Sequence, residues 1–493
     1  MKMWLFAALL LSCIAIARSP AYASGPKYKK PDVNVPQTWE SPFPWQAASP
    51  SDSIPKGSWW TIFGDAELNQ YEERAIAGNQ TLKAADSRLS EARSTARVTA
   101  AGLYPELDAG PSVSRQRYSA NRPGFSGASV SPNAFTQNVF SIPFTLNYEI
   151  DLFGRVRHSL EASNYNLQAS AADLENVRLM ITAELAADYF QLRELDAEIA
   201  VVRKGVAFEQ DGLRLVEERH SGGAVSGLDV AQQQTVLESS LTQLSLLQRQ
   251  RAQYEHAIAL LQGQPASDFK APVRALAELP PAIPLNLPSE LLQRRPDIAT
   301  AERQVAAANA QIGVARAAFY PSLPLTGGAG FSSRDIASLV TVPSAVWSIG
   351  LAALEPLIAG GRNRARLQYA RAAYDECVAD YRESALVAFQ QVEDALSGLN
   401  SLTAASDSQQ RAVAAANQSL KLANARYSGG IVTYLDVITA QEQALAAERL
   451  AAQLFGQRMV TSVYLVKALG GGWNSDSIAA LGIKPSLKQA VQQ

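Results

Sequence analysis

Cysteine and histidine are scarce in this 493-residue chain, which holds two of the first and three of the second. That supply excludes a disulfide framework and a Cys/His zinc cluster. Charge of one sign is also missing: the formal net charge is −2, so there is no basic footprint for nucleic acid. Beyond the N-terminus, no apolar run reaches the ~18–20 residues that a membrane-spanning helix needs. Enzyme signatures are absent as well. His158, His220 and His256 lie far apart, and Gly360-Gly361-Arg362 lacks the Lys-Ser/Thr of a phosphate loop. Ser221-Gly222-Gly223 joins two helical patterns, whereas a nucleophile elbow joins a strand to a helix. No catalytic, cofactor-binding or metal-ligating residue is assigned, and the chain is read as a non-enzyme.

What is present begins with an export signal. Lys2 supplies a positive end, Met3 to Ala17 is almost unbroken apolar chain, and Ala21-Tyr22-Ala23 fits a cleavage site, making 1–23 a signal peptide. Leu10-Leu11-Ser12-Cys13 also resembles a lipobox. Ile14 to Ala17 stay apolar after it, so cleavage after Ala23 is favoured over lipidation of Cys13.

The central feature is a phrase that occurs twice. Ser221-Gly222-Gly223-Ala224-Val225-Ser226-Gly227-Leu228-Asp229-Val230 returns 207 positions later as Ser428-Gly429-Gly430-Ile431-Val432-Thr433-Tyr434-Leu435-Asp436-Val437. Gly154-Arg155 and Gly361-Arg362, which open the long helical patterns, are also 207 apart. Tyr104-Pro105 and Tyr320-Pro321 are 216 apart, so the first copy has a longer loop between its strands. This is a tandem duplication of a large unit, not a short solenoid period.

Each copy reads as helix, hairpin and long helical hairpin. Residues 24–80 are an extended, Pro-rich segment followed by Trp59-Trp60 and a short helix over Ala66–Ala77 that Asp65 can cap. The first repeat, 81–262, places a β-hairpin at 107–152 and a tip at 219–230. Residues 263–288 are a proline-rich linker. The second repeat, 289–470, places its hairpin at 322–357 and its tip at 426–437, and 471–493 is a tail. In the hairpins the period changes from 3.6 to 2. Phe140, Ile142, Phe144, Leu146, Tyr148, Ile150 and Leu152 share one face, and Ser141, Pro143, Thr145, Asn147, Glu149 and Asp151 the other. Trp347, Ile349 and Leu351 alternate with Ser348 and Gly350 in the same way. A half-buried soluble hairpin is one reading; the strand length and full alternation favour membrane-type strands.

Four such strands cannot close a barrel, because an open edge in lipid leaves backbone groups unpaired. Two chains would supply eight strands and a filled interior; three would supply twelve and a lumen. The long helices, ~95 Å at 1.5 Å per residue, suit a tube across an aqueous gap.

The sequence resembles the TolC-like outer membrane factors, of the NodT/OprM type found in tripartite efflux pumps. The resemblance covers nearly the whole mature chain. It is carried by Leu287-Pro288-Ser289-Glu290-Leu291-Leu292-Gln293-Arg294-Arg295-Pro296-Asp297-Ile298, by Phe319-Tyr320-Pro321, by Gly25-Pro26-Lys27-Tyr28 and by the two repeated phrases. It implies a homotrimer with a twelve-stranded barrel in the outer membrane, continuous with a long periplasmic α-helical barrel. It implies adaptor docking at tips that contain Ser221, Gly222, Gly223, Leu228, Asp229, Ser428, Gly429 and Gly430, and an inner-membrane transporter of RND type. By position, Arg426, Tyr427, Leu435 and Asp436 match gate residues of the family. Thr439 stands where relatives often carry a second acid, so a less acidic gate is expected. Ala23-Ser24 stands where many carry a lipidated cysteine. The copies also differ: Tyr434 replaces Gly227 and Tyr427 replaces His220, so the second tip is read as the gate.

The resulting expectation is an outer membrane exit duct for efflux. The alternatives are an exit duct for secreted polypeptides, a porin without partners, and a non-conducting envelope-spanning spacer.

Overall fold

The computed structural model describes residues 25–36, 39–40, 58–120, 133–274, 288–473, 478 and 481–482. The signal segment with Cys13, half of the linker (275–287) and most of the tail lie outside the described residues. In chain order the main elements are α1 (Ala66–Gly78), α2 (Gln80–Ala101), β1 (Glu106–Ala109), β2 (Ser112–Tyr118), β3 (Phe135–Glu149), α3 (Arg155–Ser221) and α4 (Gly227–Leu261). They continue as α5 (Pro288–Arg294), α6 (Pro296–Ala317), β4 (Pro324–Ser333), β5 (Ala345–Leu351), α7 (Arg362–Ser428) and α8 (Tyr434–Ala468).

The duplication is literal at this level. α3 and α7 each have 67 residues, and α4 and α8 each have 35. Gly154 and Gly361, at φ +79° and +81°, turn the chain from sheet into each long helix. At 1.5 Å per residue each long helix extends about 100 Å. Among the described residues, no helix is long and apolar enough to cross a membrane.

The strands form one antiparallel sheet in the order β1/β2–β3–β4–β5. Register places the apolar residues together: Leu107 faces Leu146, Leu146 faces Gly327 and Gly327 faces Ile349. Ala109 faces Phe144, Phe144 faces Ala329 and Ala329 faces Trp347. Directly opposed residues share a face, so this is one apolar surface across four strands. Trp347 is 80 % exposed and Ile349 is 73 % exposed within the single chain. The opposite face is polar; Ser112 and Ser141 hydrogen-bond across it at 2.8 Å.

The first arm of the 107–152 hairpin is split into two strands, and the cause is proline. β1 and β2 keep one register against β3, which puts Gly110 opposite Pro143. Gly110 N–H donates to the Pro143 carbonyl at 3.2 Å, but Pro143 has no N–H to return. Pro111 removes a second donor beside it. β3 begins at Phe135, earlier than its alternation suggests, and ends at Glu149, so Ile150 and Leu152 lie beyond it. Asp151 has another task there, accepting from the N–H groups of Val156 (3.2 Å) and Arg157 (2.9 Å) to cap α3.

The hydrophobic core sits at the middle of α3, far from both ends. Trp59, Trp60, Phe63, Tyr189, Phe190, Ile258, Tyr381 and Met459 pack there. A polar clasp ties the chain after α4 to this level. Arg193, fully buried, pairs with Asp196 at 2.6 Å and with Glu67 at 3.1 Å, and donates to the Pro272 carbonyl at 2.6 Å. Arg251 reaches Asp196 at 2.6 Å, and Arg274 pairs with Asp65. The extended residues 25–36 lie along α6 and α7: Asn309 donates to the Pro26 carbonyl at 2.7 Å, and Lys30 pairs with Glu302 at 2.8 Å.

Candidate functional site: the two helical tips

Both repeated phrases fold into the same turn. In the first, Gly223 N–H donates to His220 (2.9 Å) and Ala224 N–H to Arg219 (2.9 Å). In the second, Gly430 N–H donates to Tyr427 (2.9 Å) and Ile431 N–H to Arg426 (2.9 Å). This is the Schellman pattern, which needs a left-handed residue just past the helix. Gly223 and Gly430 supply it at φ +75° and +71°.

The next helix then starts on a capping box. Asp229 Oδ2 accepts from Ser226 N–H (2.9 Å) and hydroxyl (2.8 Å); Asp436 Oδ2 accepts from Thr433 N–H (3.0 Å) and hydroxyl (2.7 Å). Ser221 and Ser428 donate back to Glu218 (2.8 Å) and Asn424 (2.6 Å) within their own helices.

These bonds account for most of the repetition. The Ser, Gly and Asp positions make the turn, and Val225, Val230 and Val437 pack in the tip cluster. The repeated leucine is different: Leu228 is 65 % exposed and Leu435 is 51 % exposed, so neither serves the packing of its own chain.

The tips differ where the copies differ. Tyr434 is buried with Val216, Val437 and Ile438, and its ring lies 5.1 Å from that of Tyr427. Burial, then the nearby Tyr427 and Glu209, push the Tyr434 phenol up to about 12. Arg219, from the first copy, sits 4.8 Å from the centre of the Tyr427 ring. At Gly212 an added Cβ would lie 2.5 Å from the Tyr434 hydroxyl, so glycine leaves the room that ring occupies. The second tip is therefore locked against α3 through aromatic contacts. At the first tip, His220 and Gly227 stand in the equivalent places, and His220 Nδ1–H donates to the Val225 carbonyl at 3.0 Å.

Of the residues singled out from sequence, Tyr427 is half-buried in this lock, while Arg426, Leu435, Asp436 and Thr439 are exposed beside it. Thr439 donates its hydroxyl to the Leu435 carbonyl at 2.9 Å. Sequence reasoning noted Tyr434 only as a difference between copies and missed Arg219, Val216 and Gly212. The signal for Tyr434 was the same aligned difference; Arg219 and Gly212 lie in the other copy, more than 200 positions away, and nothing along the chain marked them as its partners. Among the described residues, no group of His, Cys, Asp and Glu could hold a metal ion.

A family model described as "Outer membrane efflux protein" matches residues 72–264 and again 287–471, one match per copy. The chain belongs to that family. It is 34 % identical over 469 residues to "Pyoverdine export outer membrane protein OpmQ" of Pseudomonas aeruginosa, covering 95 % of this chain and 97 % of the relative. It is 31 % identical to "Cation efflux system protein CusC" of Escherichia coli, covering 94 % and 99 %. The CmeC outer membrane channel of Campylobacter jejuni superposes with a TM-score of 0.85 at 27 % identity, covering 92 % of this chain and 95 % of that one. The TolC-like fold, the outer membrane location and the role as an efflux exit duct follow. The helices extend into the periplasm.

Proposed function

We propose that three copies of this chain close one duct and that its periplasmic end is gated at the second tip. Two features support assembly. β1/β2 and β5 leave the sheet with two unpaired edges, which lipid does not tolerate. Of the 67 residues in α3, 27 are buried, against 11 in α7. α3 is flanked on both sides, by α2 and α4 and by α6 and α8, whereas among the described residues the long-helix neighbours of α7 are α6 and α8. By the internal repeat, the bare flank of α7 takes the α2 and α4 of a neighbouring copy. Twelve strands and six tips result.

The observation that carries the gate is the exposed Leu435 on a helix whose own start is fully capped. Three Leu435 side chains make an apolar constriction, with Asp436 beside it, Thr439 one turn on, and Arg426 and Tyr427 holding the last turn of α7. The outward residues of both turns, Ser221, Gly222, Gly223, Leu228, Asp229, Ser428, Gly429 and Gly430, form the surface that an adaptor grips. The adaptor couples the duct to an inner-membrane transporter of RND type.

Single-channel recording of the purified trimer in a planar bilayer tests this. Leu435→Asn gives a several-fold higher conductance than the parent; an exposed side chain leaves folding intact. A non-conducting spacer gives no current from either protein, and equal currents move the gate elsewhere.

A further inference from the structure

The duplication provides an internal control where the sheet meets the helices. In the first copy every charge there is answered. Arg155 takes both oxygens of Glu149, at 2.9 and 2.5 Å, and Arg157 pairs with Asp151 at 3.2 Å. Asp151 also accepts the first N–H groups of α3. In the second copy Arg362 and Arg364 stand at the equivalent positions, 207 further on, but Pro356 and Ile358 replace the two acids. Arg366 adds a third guanidinium one turn into α7. Among the described residues, none of these three side chains has an ion-pair or hydrogen-bond partner, and α7 has no side-chain cap and no acid in its first turn. The neighbouring Glu355 pairs with none of them.

A cleft of about 200 Å³ opens at this place. Arg362 and Arg366 line it, with Leu354 and the rings of Phe153 and Tyr320, which stack at 4.9 Å; Glu149 and Asp151 of the first copy also border it, their charges already answered by Arg155 and Arg157. Its level in the fold is set by the strands: Tyr148, Leu325 and Leu351 are the last apolar-face residues of β3, β4 and β5 before it. Ile358, where the first copy has its capping acid, is 95 % exposed.

We propose that this cleft binds the phosphate of a phospholipid headgroup from the periplasmic leaflet of the outer membrane. The anion takes the place that Glu149 and Asp151 fill in the first copy. Guanidinium forks match a phosphate bidentately, and aromatic rings favour the headgroup level. Leu354 and Ile358 meet the acyl region. The lipid source is favoured over free phosphate because the cleft adjoins the foot of the apolar sheet face. The inference rests on the outer membrane location and not on the gate.

Native mass spectrometry of the full-length protein in detergent, titrated with phosphatidylglycerol, tests it. The parent retains the lipid. Arg362→Gln with Arg366→Gln weakens retention about tenfold, the effect of losing one to two interfacial cations. Ile358→Asp, which restores the carboxylate of the first copy, weakens it similarly while the melting temperature holds or rises. Arg214→Gln, near the far end of α3, leaves retention unchanged. Equal lipid binding by all four proteins overturns the proposal, as does an equal loss in the Arg214 variant. Binding of inorganic phosphate without lipid overturns it too, and so does a cleft that takes no anion because a carboxylate of a neighbouring copy fills it.

Discussion

Arg219 holds its guanidinium 4.8 Å from the centre of the Tyr427 ring, which ties the last turn of the first copy's long helix to the last turn of the second's. The two residues are one position out of step in the repeat: Arg219 aligns with Arg426, and Tyr427 with His220. The contact is thus a product of divergence between the copies. A cation over an aromatic face at a partly exposed site contributes about 1 kcal/mol. Arg219→Ala and Tyr427→Ala each loosen the second tip by about that amount, and the double variant adds little beyond either. Conductance of the reconstituted protein rises in both single variants; strictly additive effects on the closed fraction would show that the pair is uncoupled.

The tip glycines are set by backbone shape alone. A Cβ at Gly223 or Gly430 meets nothing within 4 Å, yet both residues have positive φ. Gly223→Ala and Gly430→Ala therefore cost about 1–2 kcal/mol each, the left-handed penalty for an L-residue. Asparagine at either site costs less. Thermal melts of the three variants at each tip rank them Gly, Asn, Ala.

Gly330 in β4 is a case of space instead of angle. An added Cβ there would fall 2.2 Å from the Ile142 carbonyl oxygen and 2.9 Å from Pro143 Cα, both backbone atoms of β3. At Gly350 the nearest atom is the Thr326 hydroxyl oxygen at 3.3 Å. Gly330→Ala separates β3 from β4 and lowers the yield of folded protein in outer membranes, while Gly350→Ala assembles normally. Heat-modifiable mobility on gels distinguishes the two.

Two carboxyl groups of the helical region make stability depend on pH. Glu72 in α1 is fully buried and neither oxygen has a hydrogen-bond partner, so burial holds its pKa well above the usual carboxylate range. Asp188 in α3 is pushed up to about 7 by burial and then by the charge of Glu184. In both, the folded state keeps a proton that the unfolded chain releases. Their contribution is complete below the ordinary carboxylate range and is lost as pH rises through the raised values, up to about 7 for Asp188. The melting temperature therefore falls between pH 5 and pH 8. Glu72→Gln raises stability by roughly 1–3 kcal/mol at pH 8 and changes little at pH 5; an unchanged pH profile in that variant would sink the assignment.

Local rules of the chain were enough for a large part of this molecule. The repeated Ser-Gly-Gly and Leu-Asp-Val phrases specify a Schellman turn and a capping box, because each needs only residues a few positions apart. The alternation of Phe140 to Tyr148 and of Trp347 to Leu351 specifies one apolar sheet face, because side chains alternate with period two. The 207-residue offset specifies two long helical hairpins of equal length. The split between β1 and β2 was not legible, since it depends on Pro143 lying opposite Gly110, and register is a tertiary fact. Only the tertiary structure decided which of the repeated residues have work inside the chain. Tyr434 fills the space above Gly212 and Arg219 covers Tyr427, whereas Leu435 is left outside. Those partners sit on helices more than 200 positions apart, and no pattern along the chain can say which of its faces they will meet.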